Sequence, residues 1–117
     1  MKKILIVEDI ELNSDLLVQL LEDDYELSIA RDGLEAVSAA KQYAPDLILM
    51  DISLPHMDGM EATRAIRTEQ PNLPIIGLSA HAMRGDAEHA LSAGFSDYIT
   101  KPIDETQLLA RIQELLG

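Results

Sequence analysis

The sequence predicts an α/β fold: a single doubly wound (βα)5 domain whose five-stranded parallel sheet runs in the order 2-1-3-4-5. Three observations predict it. Short apolar runs alternate five times with longer segments of helical spacing. The first, third and fourth runs are continuously apolar, as strands covered on both faces must be. A chain of 117 residues suffices for one domain, taken as 1–117. Right-handed crossovers with a single reversal of strand order then lay helices on both faces.

The first strand is residues 4–7, ended by Glu8 and Asp9, and Leu12, Leu16 and Leu20 with Leu17 and Leu21 form the first helical stripe. Residues 27–30 alternate as Leu27-Ser28-Ile29, which suits a sheet edge. Asp32-x-x-Glu35 then reads as a capping box opening a helix marked by Leu34, Val37 and Ala40. After Pro45 comes the third strand, residues 47–50. Asp58-x-x-Glu61 opens a helix carrying Met60, Thr63 and Ile66. Pro71 and Pro74 punctuate the connection to the fourth strand, residues 75–79. A shorter helical pattern at Ala87, Ala90 and Leu91 closes at Gly94, a left-handed C-cap, and Phe95 falls to the core. The fifth strand is residues 98–100, and Asp104-x-x-Gln107 opens the last helix with Leu108, Leu109, Ile112, Leu115 and Leu116.

Composition narrows the chemistry. Hydrophobic residues make up 47% and aromatics 3%, so the core is aliphatic, and the absence of cysteine removes disulfides, thiolate metal sites and thiol nucleophiles. His56, His81 and His89 share no ligand spacing, which argues against zinc. Nine basic against 21 acidic residues give a net charge of −12, which repels nucleic acid and anionic lipid. No leader is visible at the amino terminus and no apolar run reaches the ~18 residues of a membrane span, so a cytoplasmic location is expected. The expected partners are proteins and metal cations, not nucleic acid or membrane.

Ligands of open parallel sheets bind outside the carboxyl ends of the strands. The residues there are Glu8 and Asp9 after the first strand, Asp51 after the third, Ser79 at the end of the fourth and Lys101 after the fifth. Each alone is an ordinary turn or cap residue; together they converge on one rim. Two carboxylates ~5 Å apart repel by about 3 kcal/mol at an effective dielectric of ~20. Lys101 offsets part of that, and a hard divalent cation offsets the rest. Mg2+, with Mn2+ as a substitute, suits Asp9, Asp51 and the backbone carbonyl of Ser53, with Glu8 acting through water. Mg2+ on so few carboxylates commonly also holds a phosphoryl group. Asp51 is then the nucleophile that forms an acyl phosphate, with Ser79 and Lys101 on the phosphoryl oxygens.

These residues lie in motifs that resemble the receiver domain of two-component response regulators, a CheY-like family with a flavodoxin-like fold. The motifs are Val7-Glu8-Asp9; Leu49-Met50-Asp51-Ile52 with Leu54-Pro55 and Met57-Asp58-Gly59; Leu78-Ser79-Ala80; and Tyr98-Ile99-Thr100-Lys101-Pro102. The resemblance spans essentially the whole chain, and residues 80–86 are similar to receivers of hybrid kinases and to some stand-alone regulators. It implies that Asp51 takes a phosphoryl group from a phosphohistidine on a sensor histidine kinase or histidine phosphotransfer protein. It further implies that Glu8 and Asp9 hold Mg2+, that Lys101 binds phosphate, and that Ser79 and Tyr98 form a switch. The Lys101-Pro102 bond would be cis. Ser53 and His81 would tune dephosphorylation, and the face of the fourth helix, fifth strand and fifth helix would meet a downstream target. Ser79 stands where Thr is equally familiar, and Ile10 where Asn or Asp is frequent.

Two other classes compete. A Mg2+-dependent phosphohydrolase with an aspartyl-phosphate intermediate would want a second Asp two residues after the nucleophile, where Ser53 stands, and a cap domain. An FMN carrier would want a phosphate loop after the first strand, where Glu8-Asp9 repel phosphate. The last helix ends at Gly117, so the expectation is a single-domain regulator or a receiver cut from a larger protein, catalysing only its own phosphorylation and dephosphorylation.

Overall fold

The computed structural model describes residues 1–52, 54, 57–79 and 91–117. Its elements are β1 (Lys3–Val7), α1 (Glu11–Leu21), β2 (Glu26–Ala30), α2 (Gly33–Gln42), β3 (Leu47–Asp51), α3 (Gly59–Glu69), β4 (Ile75–Ser79), β5 (Asp97–Thr100) and a C-terminal helix (Glu105–Leu116). The strands form one parallel sheet in the order β2-β1-β3-β4-β5, as the hydrophobic pattern predicts.

Alternation along the central strands builds two cores. Ile4 and Ile6 of β1 and Leu47 and Leu49 of β3 pack with Leu17 and Leu21 of α1 and with Leu108 and Ile112 of the C-terminal helix. Leu5, Val7, Ile48 and Met50 point the other way, onto Ala36 and Ala40 of α2 and Ala62 and Ile66 of α3. Both faces of these strands are fully covered, which is why their sequences are unbroken apolar runs. At the edge, Leu27, Ser28 and Ile29 are half-buried. Burying one such aliphatic side chain is worth about 2 kcal/mol, against about 1 kcal/mol for a helix cap, so the alternation sets the strand register and the caps trim the helix ends.

All three expected caps form: Asp32, Asp58 and Asp104 accept from the N–H groups of Glu35, Glu61 and Gln107 at 2.8, 2.9 and 3.1 Å. The return arm of the first differs, because the Glu35 carboxylate accepts from the Arg31 N–H, one residue upstream of the cap. The N-cap position of α1 is Ile10, whose side chain cannot cap. The residues of α1 facing the sheet are Ser14, Leu17 and Leu21, so the 3.6-residue repeat carries Leu12 and Leu16 to the far side, where they are 69% and 57% exposed. Leu12 and Leu16 therefore stand outside the core-facing stripe that their spacing suggests. Leu34 is likewise exposed, since Gly33, Ala36 and Ala40 take the buried face of α2. Ala87 and Ala90 of the expected fourth helical segment lie outside the described residues; residues 91–93 are helical, with Leu91 exposed and Ala93 buried.

That helix ends at Gly94 with φ +108°, a conformation that favours glycine, and a Cβ there would stand 2.9 Å from Arg67 Cγ. Arg67 donates to the Gly94 carbonyl at 2.7 Å, to the carbonyls of Gln70 and Leu73, and to Ser96 Oγ. One guanidinium thereby ties α3, the approach to β4 and the approach to β5 together at the end of the sheet remote from the acidic rim. Phe95 is buried beside this junction, as expected.

Thr63 in α3 is fully buried, and its hydroxyl has no hydrogen-bond partner among the described residues. Removing an unsatisfied buried hydroxyl gains about 1 kcal/mol. Thr63→Val is therefore expected to raise the thermal midpoint by a few degrees; a midpoint equal to or below that of the unsubstituted protein would contradict this reading of the core.

Candidate functional site

Parallel register carries the polar residues to one rim. Val7 pairs with Met50, so the next residues, Glu8 and Asp51, leave their strands side by side. Asp51 pairs with Leu78, one step before Ser79, and Ser79 pairs with Thr100, one step before Lys101. The Ile52 N–H donates to the Leu78 carbonyl at 3.0 Å and the Lys101 N–H to the Ser79 carbonyl at 2.6 Å, extending the ladders to the edge of the site. Helix α3 closes directly on Asp51: the Gly59 N–H donates to the Ile52 carbonyl, and a Cβ at Gly59 would fall 2.4 Å from the Asp51 carbonyl oxygen. Only glycine permits that approach.

Glu8 and Asp51 are buried, whereas Asp9 is exposed. One carboxylate oxygen from each of the three lies within 4.8 Å of the others. The Lys101 ammonium sits 2.9 Å from Glu8 Oε1 and 3.4 Å from Asp51 Oδ2. Burial and then the contact with Asp51 push the Glu8 carboxyl above its ordinary range, although Lys101 pulls the other way. Burial alone would weaken the Lys101 ammonium, but the Glu8 hydrogen bond and the charges of Asp51 and Glu8 outweigh it and raise its pKa. Three carboxylates against one ammonium leave two negative charges in an all-oxygen donor set. That set fits a hard divalent cation.

Glu8, Asp9, Asp51 and Lys101 thus meet at one place, and Ser79, also buried, ends the strand between Asp51 and Lys101. The Lys101-Pro102 peptide is cis. Tyr98 is half-buried at the margin of the α2–α3 core. Ser53, whose carbonyl is an expected ligand, and His81 lie outside the described residues, as does most of the fourth helical segment of the expected output face. A groove of about 530 Å³ opens beside the site between α1 and residues 101–105, with Glu8 and Lys101 in its wall next to Leu16, Leu20 and Ile103.

Arg31 also reaches this rim, although it attracts no notice in the sequence. Its guanidinium donates to the Glu8 carbonyl at 3.2 Å and to Ser14 Oγ at 2.9 Å. The rule that selects the residue following each strand, applied to the edge strand as well, would have found it.

The response regulator receiver domain family matches residues 4–113. The polar-differentiation response regulator DivK of Brucella ovis is 41% identical over 119 residues, covering 99% of this chain and 97% of DivK. The receiver domain of the sensor histidine kinase PA1611 from Pseudomonas aeruginosa, solved with magnesium coordinated in its active-site cleft, superposes with a TM-score of 0.92 at 39% identity, covering 99% of this chain and 98% of that domain. The chemotaxis protein CheY4 of Vibrio cholerae superposes with a TM-score of 0.92 at 28% identity, covering 99% of both chains. With this sheet order, this acidic rim and these relatives, the chain belongs to the response regulator receiver domain family, the signalling domains of two-component phosphorelays.

Proposed function

We propose that this domain accepts a phosphoryl group on Asp51 from a phosphohistidine of a sensor histidine kinase or histidine phosphotransfer protein, acting in the cytoplasm as a switch read by a downstream protein. The observation that carries the proposal is the convergence of Glu8, Asp9 and Asp51 within 4.8 Å, with Lys101 bridging two of them. A carboxylate oxygen of Asp51 attacks phosphorus as the bond from phosphorus to the donor imidazole breaks; with the other ring nitrogen of the donor protonated, the electron pair returns to the ring and a neutral histidine leaves behind the acyl phosphate. Mg2+ bound by Asp9, Asp51 and the Ser53 carbonyl, with Glu8 through water, would neutralise charge shared between the carboxylate and the phosphoryl oxygens. Lys101 is already placed 3.4 Å from Asp51 and needs little movement to meet an incoming phosphoryl oxygen.

Ser79 would hold a further phosphoryl oxygen, and because its carbonyl accepts from the Lys101 N–H its displacement would be passed to the end of β5, the strand that carries Tyr98. Ser53 and His81 we assign to control of water access to the acyl phosphate. The relatives support both settings for such a domain, as a single-domain regulator in DivK and as the receiver of a sensor kinase in PA1611.

Incubation with Mg2+ and a small acyl-phosphate donor, read by intact mass, is expected to add one phosphoryl mass to the protein and none to Asp51→Asn. Phosphorylation that survives the substitution would remove Asp51 from its role. Proton and cation compete at the rim. Because the Glu8 carboxyl titrates above its ordinary range, it takes up its proton early as pH falls and withdraws one of the charges that attract the cation. Mg2+ affinity is accordingly expected to decline from pH 8 toward pH 5, and more steeply than in Glu8→Gln; equal slopes in a calorimetric titration would argue against Glu8 as the titrating group.

A further inference from the structure

Among the described residues, the turn that carries both Glu8 and Asp9 is held in an unusual way. Helix α1 follows immediately, and its N-cap position is Ile10, which offers no side-chain acceptor to the helix entry. The turn is secured by other contacts. Glu8 N–H donates to the Ala30 carbonyl at 3.0 Å, Ile10 N–H donates to the Glu8 carboxylate at 3.3 Å, and Ser14 N–H donates to the Ile10 carbonyl at 3.1 Å. Arg31 closes the set, because one guanidinium nitrogen donates both to the Glu8 backbone carbonyl and to Ser14 Oγ. Ser14 is completely buried and its hydroxyl donates in turn to the Glu11 carbonyl at 2.9 Å. The Arg31 N–H meets the Glu35 carboxylate, which fixes the base of the side chain to the first turn of α2.

We infer that Arg31 is a positioning residue of the cation site: by clamping the Glu8 carbonyl to Ser14 it sets where the Glu8 and Asp9 carboxylates stand relative to Asp51. The inference rests on the assignment of Glu8, Asp9 and Asp51 to a divalent cation. Its physical interest is that charge and geometry make opposite predictions. A guanidinium beside the rim repels a divalent cation, so loss of its charge alone must tighten binding. Loss of the clamp must loosen it, since groups that orient metal ligands typically contribute about ten-fold or more to affinity. Lysine retains the charge and can donate to both acceptors, but its flexible stem lacks the planar, pre-organised guanidinium and holds them less rigidly.

The test is a calorimetric Mg2+ titration of the whole chain at fixed ionic strength, together with amide exchange of residues 9–14 in the metal-free protein. Arg31→Met is expected to weaken Mg2+ binding roughly ten-fold and to speed exchange at Ile10 and Ser14. Arg31→Lys should recover part of the affinity. Ser14→Ala leaves the guanidinium charge in place and removes one of its anchors, so a loss of about three-fold there isolates the geometric effect, and it serves as the informative variant if Arg31→Met fails to fold. Equal or tighter Mg2+ binding in Arg31→Met, or unchanged affinity and exchange in Ser14→Ala, would overturn the role assigned to Arg31. Failure of the unsubstituted protein to bind Mg2+ would overturn the cation site itself, a separate outcome from either.

Discussion

The constraint on which the rest of this molecule depends is the side-by-side exit of Glu8 and Asp51 from adjacent parallel strands. Register leaves no freedom there, because Val7 and Met50 are paired and the next residue on each strand must share the rim. Two carboxylates within 4.8 Å repel by about 3 kcal/mol at an effective dielectric of ~20, and Asp9 adds to the strain. Lys101 answers it from β5, two strands away from Asp51 in the sheet, so the ion pairs at the rim also measure how well β4 and β5 are seated. A site that concentrates negative charge is intrinsically responsive, since any cation or phosphoryl group that enters redistributes the partners of one ammonium.

The fold supports that tension unevenly. At the remote end of the sheet, Arg67 joins α3 to the approaches of β4 and β5 through carbonyl contacts, and Gly94 is shaped to receive it. At the rim, the link between β4 and β5 includes the bond from the Lys101 N–H to the Ser79 carbonyl, and Lys101 is the residue that senses the acids. Between these two ends β4 and β5 are paired without a break, from Ile76↔Asp97 to Ser79↔Thr100, so the strand ending in Ser79 and the strand leading to Lys101 reach the rim as one ladder. Tyr98, on β5 beside Gly77, is half-buried at the margin of a core rather than inside it.

Much of this was legible in the sequence for identifiable reasons. Strands buried on both faces have no choice but to be apolar throughout, so residues 4–7 and 47–50 announced themselves, and the serine in Leu27-Ser28-Ile29 betrayed an edge. Capping aspartates act locally, within four residues, and all three were readable. The leucines of α1 were misleading because hydrophobicity alone does not say which side of a helix meets the sheet; small Ser14 lies on that side and Leu12 and Leu16 do not. Arg31 was legible by its place directly after β2, but its contacts were not. Its partners are a backbone carbonyl and a serine seventeen residues away, and a backbone acceptor leaves no trace in sequence.

Lys101 and Arg31 show how two basic residues at one acidic rim divide the work. Lys101 faces carboxylate oxygens with a compact ammonium on a flexible stem, so it can leave one acceptor for another as the charge pattern changes. Arg31 faces a backbone carbonyl and a buried hydroxyl, acceptors that carry no charge and do not titrate, and its planar head suits rigid contacts. The two types are not interchangeable: a guanidinium at 101 would present a planar fork where a compact ammonium now stands between Glu8 and Asp51, and an ammonium at 31 would make its contacts from a flexible stem without the rigid planar head. The acidic rim is thus served by one flexible cation and one rigid one, and the fold supplies them from its opposite edge strands, β5 and β2.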